Sequence, residues 1–564
     1  MKKEVVKLLK KALKAKKIKL SEEKIESMIE VPTNSELGDY AFPCFSLAQE
    51  MKTMPSEIAL EIREKIGNIP EKYFNEVETK GPYVNFFVNH KEQVYEALKE
   101  ILKKREKFGK SNLGKRKTIL VEFSSPNIAK SFGIGHIRST IIGNSIANLC
   151  EFQGFTTKRI NYLGDWGSQF GQLIFGYKKF GNEKKFKKDS LGHLQEIYVK
   201  VNKNKKYIEK SKEEFRKLEE GDRENLALWR RFKELSFSEF EKIYDLFGIE
   251  FDEYSSEFST NKYLEKTLKE LKEKKLAKKS QGALVVHLKK YNLGTAIIQK
   301  SDGTSIYCVR DLAEAKRRYK KYKFEKMIYE VGQEQNLHFK QVFKILELMG
   351  YEWSKNCVHV GHGLYLGKDR KRFSTRKGKT ADLNEIIDVT QEYAKKEISK
   401  RFPKLKQKEL KERALKIALA SIFYGDLKSK RETNIVFNPK KFVSFEGNTG
   451  PYILYSYARA SSIIKKAKTK EKFSVPKKLE DKERDLFKNL TEFPLIAAKA
   501  FENYDPSIIA SYVYSLCKIF NEFYHAHPVI GSEEEPFRLA LIESFRQILR
   551  NSCNLLGIKL LEEM

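Results

Sequence analysis

The chain has 564 residues, enough for three or four domains, and 40% of them are hydrophobic and 12% aromatic, which permits folded interiors. No run of about 18 apolar residues offers a membrane span, and the six cysteines (Cys44, Cys150, Cys308, Cys357, Cys517 and Cys553) never fall into a C-x-x-C spacing. This argues against zinc knuckles and a disulfide framework and for a reducing compartment, hence the cytoplasm, while the formal charge of +33 suits either a Lys-rich solvated surface or a polyanionic partner, most simply nucleic acid.

The opening stretch, MKKEVVKLLKKALKAKKIKL, is basic with apolar residues at helical spacing. It lacks the continuous apolar core of a cleavable signal and the Arg/Ser richness of a transit peptide, so an amphipathic helix is expected. Residues 1–110 read as helices, one short strand (YVNFFVN, 83–89) and a helix running into the polar linker KKREKFGKS. KTILVEF (117–123) opens the next unit as a strand. Helical periodicity follows from about His136 to Phe152, Gly154 stops it, and TTKRINYL (156–163) is a second strand. Strand–helix–strand at this length is a parallel crossover unit.

From about 171 to 280 the pattern is charged and helical, and a helical insertion without strands is expected. GALVVHL and TAIIQKSDGTSIYCV return to strands, the latter read as a hairpin turning at Asp302-Gly303. EKMIYEVG and CVHVGHGLYL are further strands, separated by the helix NLHFKQVFKILELMG that Gly350 ends. From about Ile386 onward the chain reads as a separate all-α domain. The fold class is therefore multidomain α/β, with a doubly wound parallel sheet whose ligand site lies at the carboxyl ends of its strands.

Two segments suggest chemistry. VEFSSPNIAKSFGIGHIRSTIIGN (121–144) runs from strand to helix through Gly133, Gly135 and His136, although Arg138 stands where G-x-G-x-x-G would need its third glycine. A helix N-terminus favours phosphate, glycines let the backbone approach, and His136 and Lys130 can donate to phosphoryl oxygens. A tight turn with a capping histidine is the structural alternative. KRFSTRKGKT (371–380) is a basic loop with Ser374 and Thr375 as hydroxyl donors. Its G-K-T is no Walker loop, because Phe373 occupies the required earlier glycine; a solvated charge run is the alternative.

SSPNIAKSFGIGHIRSTIIGN resembles the H-I-G-H signature of class I aminoacyl-tRNA synthetases in the form that arginyl-tRNA synthetases carry. NYLGDWGSQFG, YCVRDLAEAKRR and YEVGQEQNLHFKQVF resemble further signatures of that family, and FSTRKG its degenerate K-M-S-K-S loop. FEGNTGPYILYSYARA resembles the opening of its anticodon-binding domain, and GDYAFPCFSLA with GPYVNFF its N-terminal tRNA-elbow domain. The resemblance implies a small α+β elbow-binding domain over 1–112, a Rossmann-like catalytic domain over 113–385 with a helical insertion at about 172–282, and an all-helical anticodon-binding domain over 386–564.

It also implies the reaction: attack of the arginine carboxylate on the α-phosphate of ATP, with release of diphosphate, then transfer to the 3′ end of tRNA(Arg). Gly133, Gly135 and His136 are then the ATP-binding positions, and Lys130, His136, Ser374, Arg376 and Lys377 the catalytic ones. Glu122 and Asp311 match the family's guanidinium-facing acids, a fit to guanidinium's planar fork of donors. Ser125, Asn127, Tyr307 and Gln335 match its other arginine contacts. Tyr83 and Asn85 match its D-loop contacts, and Tyr452, Tyr455, Tyr524 and Met564 its anticodon-side residues. ATP with Mg2+ as counter-ion, L-arginine and tRNA(Arg) are the implied ligands, with no protein-held metal, no membrane, and a monomer. One departure stands out: Gly133 replaces the first histidine of the signature. The rivals are a catalytically silent paralogue kept for RNA binding, which has no reason to retain an arginine pocket, and a synthetase for another amino acid, which the paired acids disfavour.

Overall fold

The computed structural model describes the chain except for residues 33, 35–36, 129–131, 302–306, 368–369, 371–382, 437 and 469–471. It comprises two compact units. One is built from Met1–Arg105, Ala467–Thr491 and Phe523–Ser544, the other from Glu106–Lys466, Glu492–Glu522 and Phe545–Met564.

In the first unit the expected amphipathic helix forms at Lys2–Ala15 and buries Val5, Val6, Leu9, Ala12 and Leu13. The sheet is larger than the single strand expected. Three antiparallel strands, β1 (Tyr40–Pro43), β2 (Phe74–Lys80) and β3 (Tyr83–Val88), pair in the order β1-β3-β2. In β2 the period-2 signal is lost because the register shifts between Phe74 and Glu76, so the two apolar residues Phe74 and Val77 stand three apart. Along β3, Val84, Phe86 and Val88 join the core, and Tyr83, Asn85 and Phe87 take the opposite face.

The second unit carries the parallel sheet. Its strands are β4 (Thr118–Glu122), β5 (Thr156–Leu163) and β6 (Glu253–Ser256), then, beyond a small antiparallel sheet of β7 (Ala277–Ser280), β8 (Ala283–His287) and β9 (Thr295–Gln299), β10 (Lys326–Gly332) and β11 (Cys357–His362). All neighbours pair in parallel, in the order β11-β10-β4-β5-β6. Connections run one way from β4 through β5 to β6 and the other way from β10 to β11. The switch point, where a ligand crevice opens in such sheets, therefore lies between β4 and β10.

β4 reads as an unbroken apolar run because helices cover both its faces. The crossover helix Ile134–Phe152 is buried along most of its length, and at Gly143 it comes so close to β4 that a Cβ would lie 2.2 Å from that of Phe123.

Three expectations are corrected. β6 is a strand inside the stretch read as purely helical; four residues, Glu253, Tyr254, Ser255 and Ser256, carry no apolar signal, and hydrogen bonding to β5 decides their conformation. The hairpin read over 295–309 does not continue to its end: Asp302 and Gly303 lie outside the described residues, and Tyr307, Cys308 and Val309 open the helix Tyr307–Tyr322, which buries Cys308, Val309 and Leu312. Finally, Ile435–Val436 in the all-helical stretch forms a two-residue parallel strand with Tyr365–Leu366, too short to show periodicity. The remainder after 383 is helical, from Leu383–Arg401 to Glu535–Leu555.

Candidate active site

At the carboxyl ends of β4 and β10 opens a cavity of about 690 Å³. Its wall contains Glu122, Ser125, Asn127, Gly135, His136, Tyr307, Asp311 and Gln335. Residues expected to bind arginine and residues expected to bind phosphate thus share one chamber, although they are spread over more than two hundred positions of sequence. Gly133 caps the crossover helix just outside this lining. Lys130, Ser374, Thr375, Arg376 and Lys377 lie outside the described residues.

The exit from β4 is a strained turn. Ser124 and Ser125 have φ of +70° and +43°, a region that costs a non-glycine residue on the order of 1–3 kcal/mol. The surroundings hold it there. The Ser124 N–H donates to Ser139 Oγ at 2.9 Å, and Ser124 Oγ lies 2.8 Å from both Tyr244 Oη and Thr140 Oγ1. The buried Ser125 hydroxyl has no hydrogen-bond partner among the described residues, as a group awaiting a ligand would. Asn127 bridges to Gly164, where a Cβ would lie 2.3 Å from Asn127 Oδ1, so a side chain at the first Gly of NYLGDWG would push the Asn127 amide aside. Gly135 is the opposite case: a Cβ there would meet nothing within 4 Å, and the open space belongs to the cavity.

The Gly133 N–H donates to His136 Nδ1 at 3.1 Å. An accepting Nδ1 carries no proton, so the neutral ring bears its hydrogen on Nε2. His136 therefore both caps its helix and remains a donor, which joins the two readings that the sequence left as alternatives.

Asp311 sits one helical turn after Tyr307, and its Oδ2 is 2.5 Å from His338 Nε2. Sequence reasoning missed a second acid beside it. Glu257, at the start of the helix Glu257–Glu273, is only 8% exposed and lines the same cavity. Burial pushes its carboxyl up to about 8; Arg310 opposes this, while Asp165 and Asp311 add to it. Its only sequence signal was an acid following YSS, which a helix N-terminus explains equally well. Tyr162, Ser139, Glu330, His338 and His362 also line the wall unforeseen.

Glu122 differs from expectation in its partner. Its carboxylate is already hydrogen-bonded to Arg318 Nη1, and Arg318 Nε donates to Glu314 at 2.9 Å. All three are buried. Burial alone would drive the proton from Arg318, but Glu122 and Glu314 outweigh it and hold the guanidinium well above its ordinary range.

Of the tRNA candidates, Tyr83 packs edge-on against the half-exposed Phe45, with ring centroids 5.6 Å apart, and Asn85 is only 2% exposed. Tyr452 Oη accepts from Asn521, and Arg459 lies over the Tyr455 ring at 4.8 Å. Tyr524 is 37% exposed on the helix Ser507–Ala526, and Met564 is half-buried.

Family models match in three consecutive segments: the arginyl tRNA synthetase N terminal domain over residues 3–88, the catalytic domain of class I (R) tRNA synthetases over 97–439, and the DALR anticodon binding domain over 453–564. The arginine–tRNA ligase of Clostridium perfringens is 43% identical over 568 residues, covering 98% of this chain and 100% of the relative. That of a Clostridium botulinum strain is 44% identical over 548 residues, covering 96% of each. The arginyl-tRNA synthetase of Plasmodium falciparum superposes with a TM-score of 0.73 at 26% identity over 99% of this chain and 98% of its own. That of Thermus thermophilus shares the fold, with a TM-score of 0.74 at 23% identity and 99% coverage of both.

Replacing Arg318 by Met should leave Glu122 as a buried, uncompensated charge and Glu314 with Arg317 alone, a destabilisation of about 3–5 kcal/mol. Thermal unfolding should show the midpoint of the single variant lowered by several degrees and partly restored when Glu122→Gln is added. Equal midpoints for wild type and Arg318→Met would mean the trio contributes nothing to the fold.

Proposed function

This chain belongs to the arginyl-tRNA synthetases, and we propose that the cavity between β4 and β10 is where it brings arginine and ATP together. It is an arginine–tRNA ligase, which activates L-arginine with ATP and charges tRNA for translation. The observation that carries the assignment of the site is the pairing, in one chamber, of clustered acids with an open glycine turn at a helix start.

The arginine carboxylate attacks the α-phosphorus, the bond to the bridging oxygen breaks, and diphosphate leaves. The terminal ribose hydroxyl of the tRNA then attacks the carbonyl carbon of the adenylate, and AMP leaves. Such steps need alignment and charge neutralisation more than covalent help from the protein. Asp311, oriented by His338, and Glu257 accept the guanidinium donors, with Tyr307 beside them. Glu122 reinforces this negative wall while bound to Arg318. Ser125, Asn127 and Gln335 hold the amine and carboxylate end. Gly135 and the helix N–H groups receive the phosphates, His136 donates from Nε2, and Gly133 leaves room at the cap.

Lys130, Arg376 and Lys377 would supply cations, and Ser374 a hydroxyl, to the phosphates. Mg2+ would accompany ATP as its counter-ion and neutralise charge on the phosphates. Among the described residues no three His, Cys, Asp or Glu side chains gather to hold a metal. Tyr83 and Asn85 serve the tRNA elbow within residues 1–112, residues 113–385 carry catalysis, and Tyr452, Tyr455, Tyr524 and Met564 serve the anticodon within 386–564. We read the enzyme as a monomer of the cytoplasm. No described helix is long and apolar enough to cross a membrane.

The direct test is a charging assay with ATP, total tRNA and each amino acid in turn: label should appear on tRNA only with arginine. In the same assay Asp311→Asn should raise the KM for arginine about tenfold or more, since a lost charge-assisted bond is worth roughly 1.5–3 kcal/mol, with the KM for ATP little changed.

Because Glu257 is protonated below about pH 8 in the empty pocket, taking up a guanidinium should expel its proton. Arginine affinity should therefore strengthen as pH rises, by up to about tenfold per unit, and level off above pH 8. Calorimetry at pH 7 in buffers of different ionisation enthalpy should find about one proton released per arginine; none released would remove Glu257 from the guanidinium site.

Tyr455→Ala should weaken binding of tRNA(Arg) by about 1–3 kcal/mol if a base stacks there. The loss should shrink for a tRNA altered only in its anticodon, whereas equal losses for both RNAs would make Tyr455 a packing residue.

A further inference from the structure

The glycine turn contributes a single imidazole to the cavity, since Gly133 has no side chain and His136 stands alone on the first turn of its helix. Besides His338, which faces Asp311, another imidazole reaches the same chamber from a different element. His362 ends β11 and lines the cavity wall, and its Nδ1 lies 2.7 Å from Glu330 Oε1.

Glu330, on β10, is 1% exposed, and its two oxygens are divided between two neighbours. Oε1 takes His362, and Oε2 accepts from Ser139 Oγ at 2.5 Å. Ser139 follows His136 by three residues on the crossover helix, so both lie on one helix face. The same Ser139 oxygen accepts the N–H of Ser124 from the strained turn. One buried carboxylate thus ties together the ends of β4 and β11 and the first turns of the helix that should receive the phosphates.

From this juxtaposition we infer that His362 is a second ATP-phosphate ligand of the enzyme and that Glu330 is the residue that positions it. The inference rests on the reading of this cavity as the ATP and arginine site. A carboxylate only accepts, so Nδ1 carries the hydrogen shared with Glu330. With a hydrogen on Nε2 as well, the two N–H groups of the ring bridge carboxylate and phosphate. This is the arrangement by which a carboxylate fixes the aim of an imidazole toward a ligand. It supplies, from the strand end, a donor that Gly133 does not supply from the helix cap.

The experiment measures charging of total tRNA with arginine while ATP is varied, and separately arginine binding by calorimetry. Wild type should charge arginine; a wild type that charges none overturns the reading of the site itself and the inference with it. Given an active wild type, His362→Ala should lower kcat about 10²-fold, as loss of one preorganised donor does, and weaken ATP, with arginine affinity within about twofold of wild type. Glu330→Gln, which keeps the shape and can still hydrogen-bond Ser139, should fall in the same direction. The double variant should be no worse than about threefold below His362→Ala, because the carboxylate acts through the ring. Gly133→His placed in the His362→Ala background should recover part of the lost kcat. The inference fails if His362→Ala retains wild-type kcat, or if arginine and ATP affinities fall together in both single variants, which is what general loosening of the wall would produce.

Discussion

Arg318 dictates how the floor of this active site can be built. A guanidinium without solvent must have counter-charges, and here they come from the end of β4 and from the preceding turn of its own helix, Glu122 and Glu314. Arg317 beside it pairs with Glu314 and Glu253, so the network reaches the edge strand β6. The result is a plate of alternating charge beneath the cavity, joining three separate elements. A buried ion pair gains little net stability over a well-packed apolar replacement, yet removing one member is costly. That asymmetry makes the plate a specification rather than a glue: it fixes the β4 carboxylate through bonds made within the chain itself.

The plate also changes the role of Glu122. A pocket for guanidinium presents an excess of carboxylate, and Glu122 is partly neutralised by an internal guanidinium. The carboxyls left to meet a cation are instead Asp311, beside His338, and Glu257, the latter held protonated by burial when no cation faces it. Two acids in one small chamber repel; storing a proton on one of them lets the empty pocket exist without that penalty, and on the proposed reading an incoming guanidinium would displace it. Selectivity for a cationic, fork-shaped side chain then follows from the site being electrically complete only when such a group is present. Lysine's point charge could satisfy one acid, but not the planar spread of donors.

Sequence reading succeeded where physics is local. β4 and its crossover helix were plain from apolar run and periodicity, and the glycine turn from its residue types. The six positions expected to bind arginine came from motif resemblance and the helix histidine already from its place beside the glycines, and the fold brings all of them to one cavity wall. What escaped was decided by pairing across distance. β6 has no apolar pattern because its place in the sheet depends on β5. β2 hides its period behind a register shift. Tyr307–Val309 read as a strand arm because β-branched and aromatic residues cluster there, while burial of Cys308, Val309 and Leu312 on a helix face prevails. Glu257, Glu330 and His362 are ordinary residues in sequence; only burial and convergence single them out.

The glycine turn and the plate meet at the strained serines. A turn with two consecutive left-handed non-glycine residues persists only when its surroundings over-determine it. Ser124 is held by Ser139, Thr140 and Tyr244, three partners from two helices, and Ser139 in turn is held by Glu330. Glycines at 124 and 125 would have made the same turn without strain and without the hydroxyls. Serines keep the turn rigid through the bonds of Ser124 and leave the Ser125 hydroxyl without a partner among the described residues. The strain is thus offset by hydrogen bonds made before any ligand arrives. A site whose chemistry consists of alignment and charge must be built in advance, since donors that had to be reorganised at the moment of reaction would return much of their advantage to the barrier.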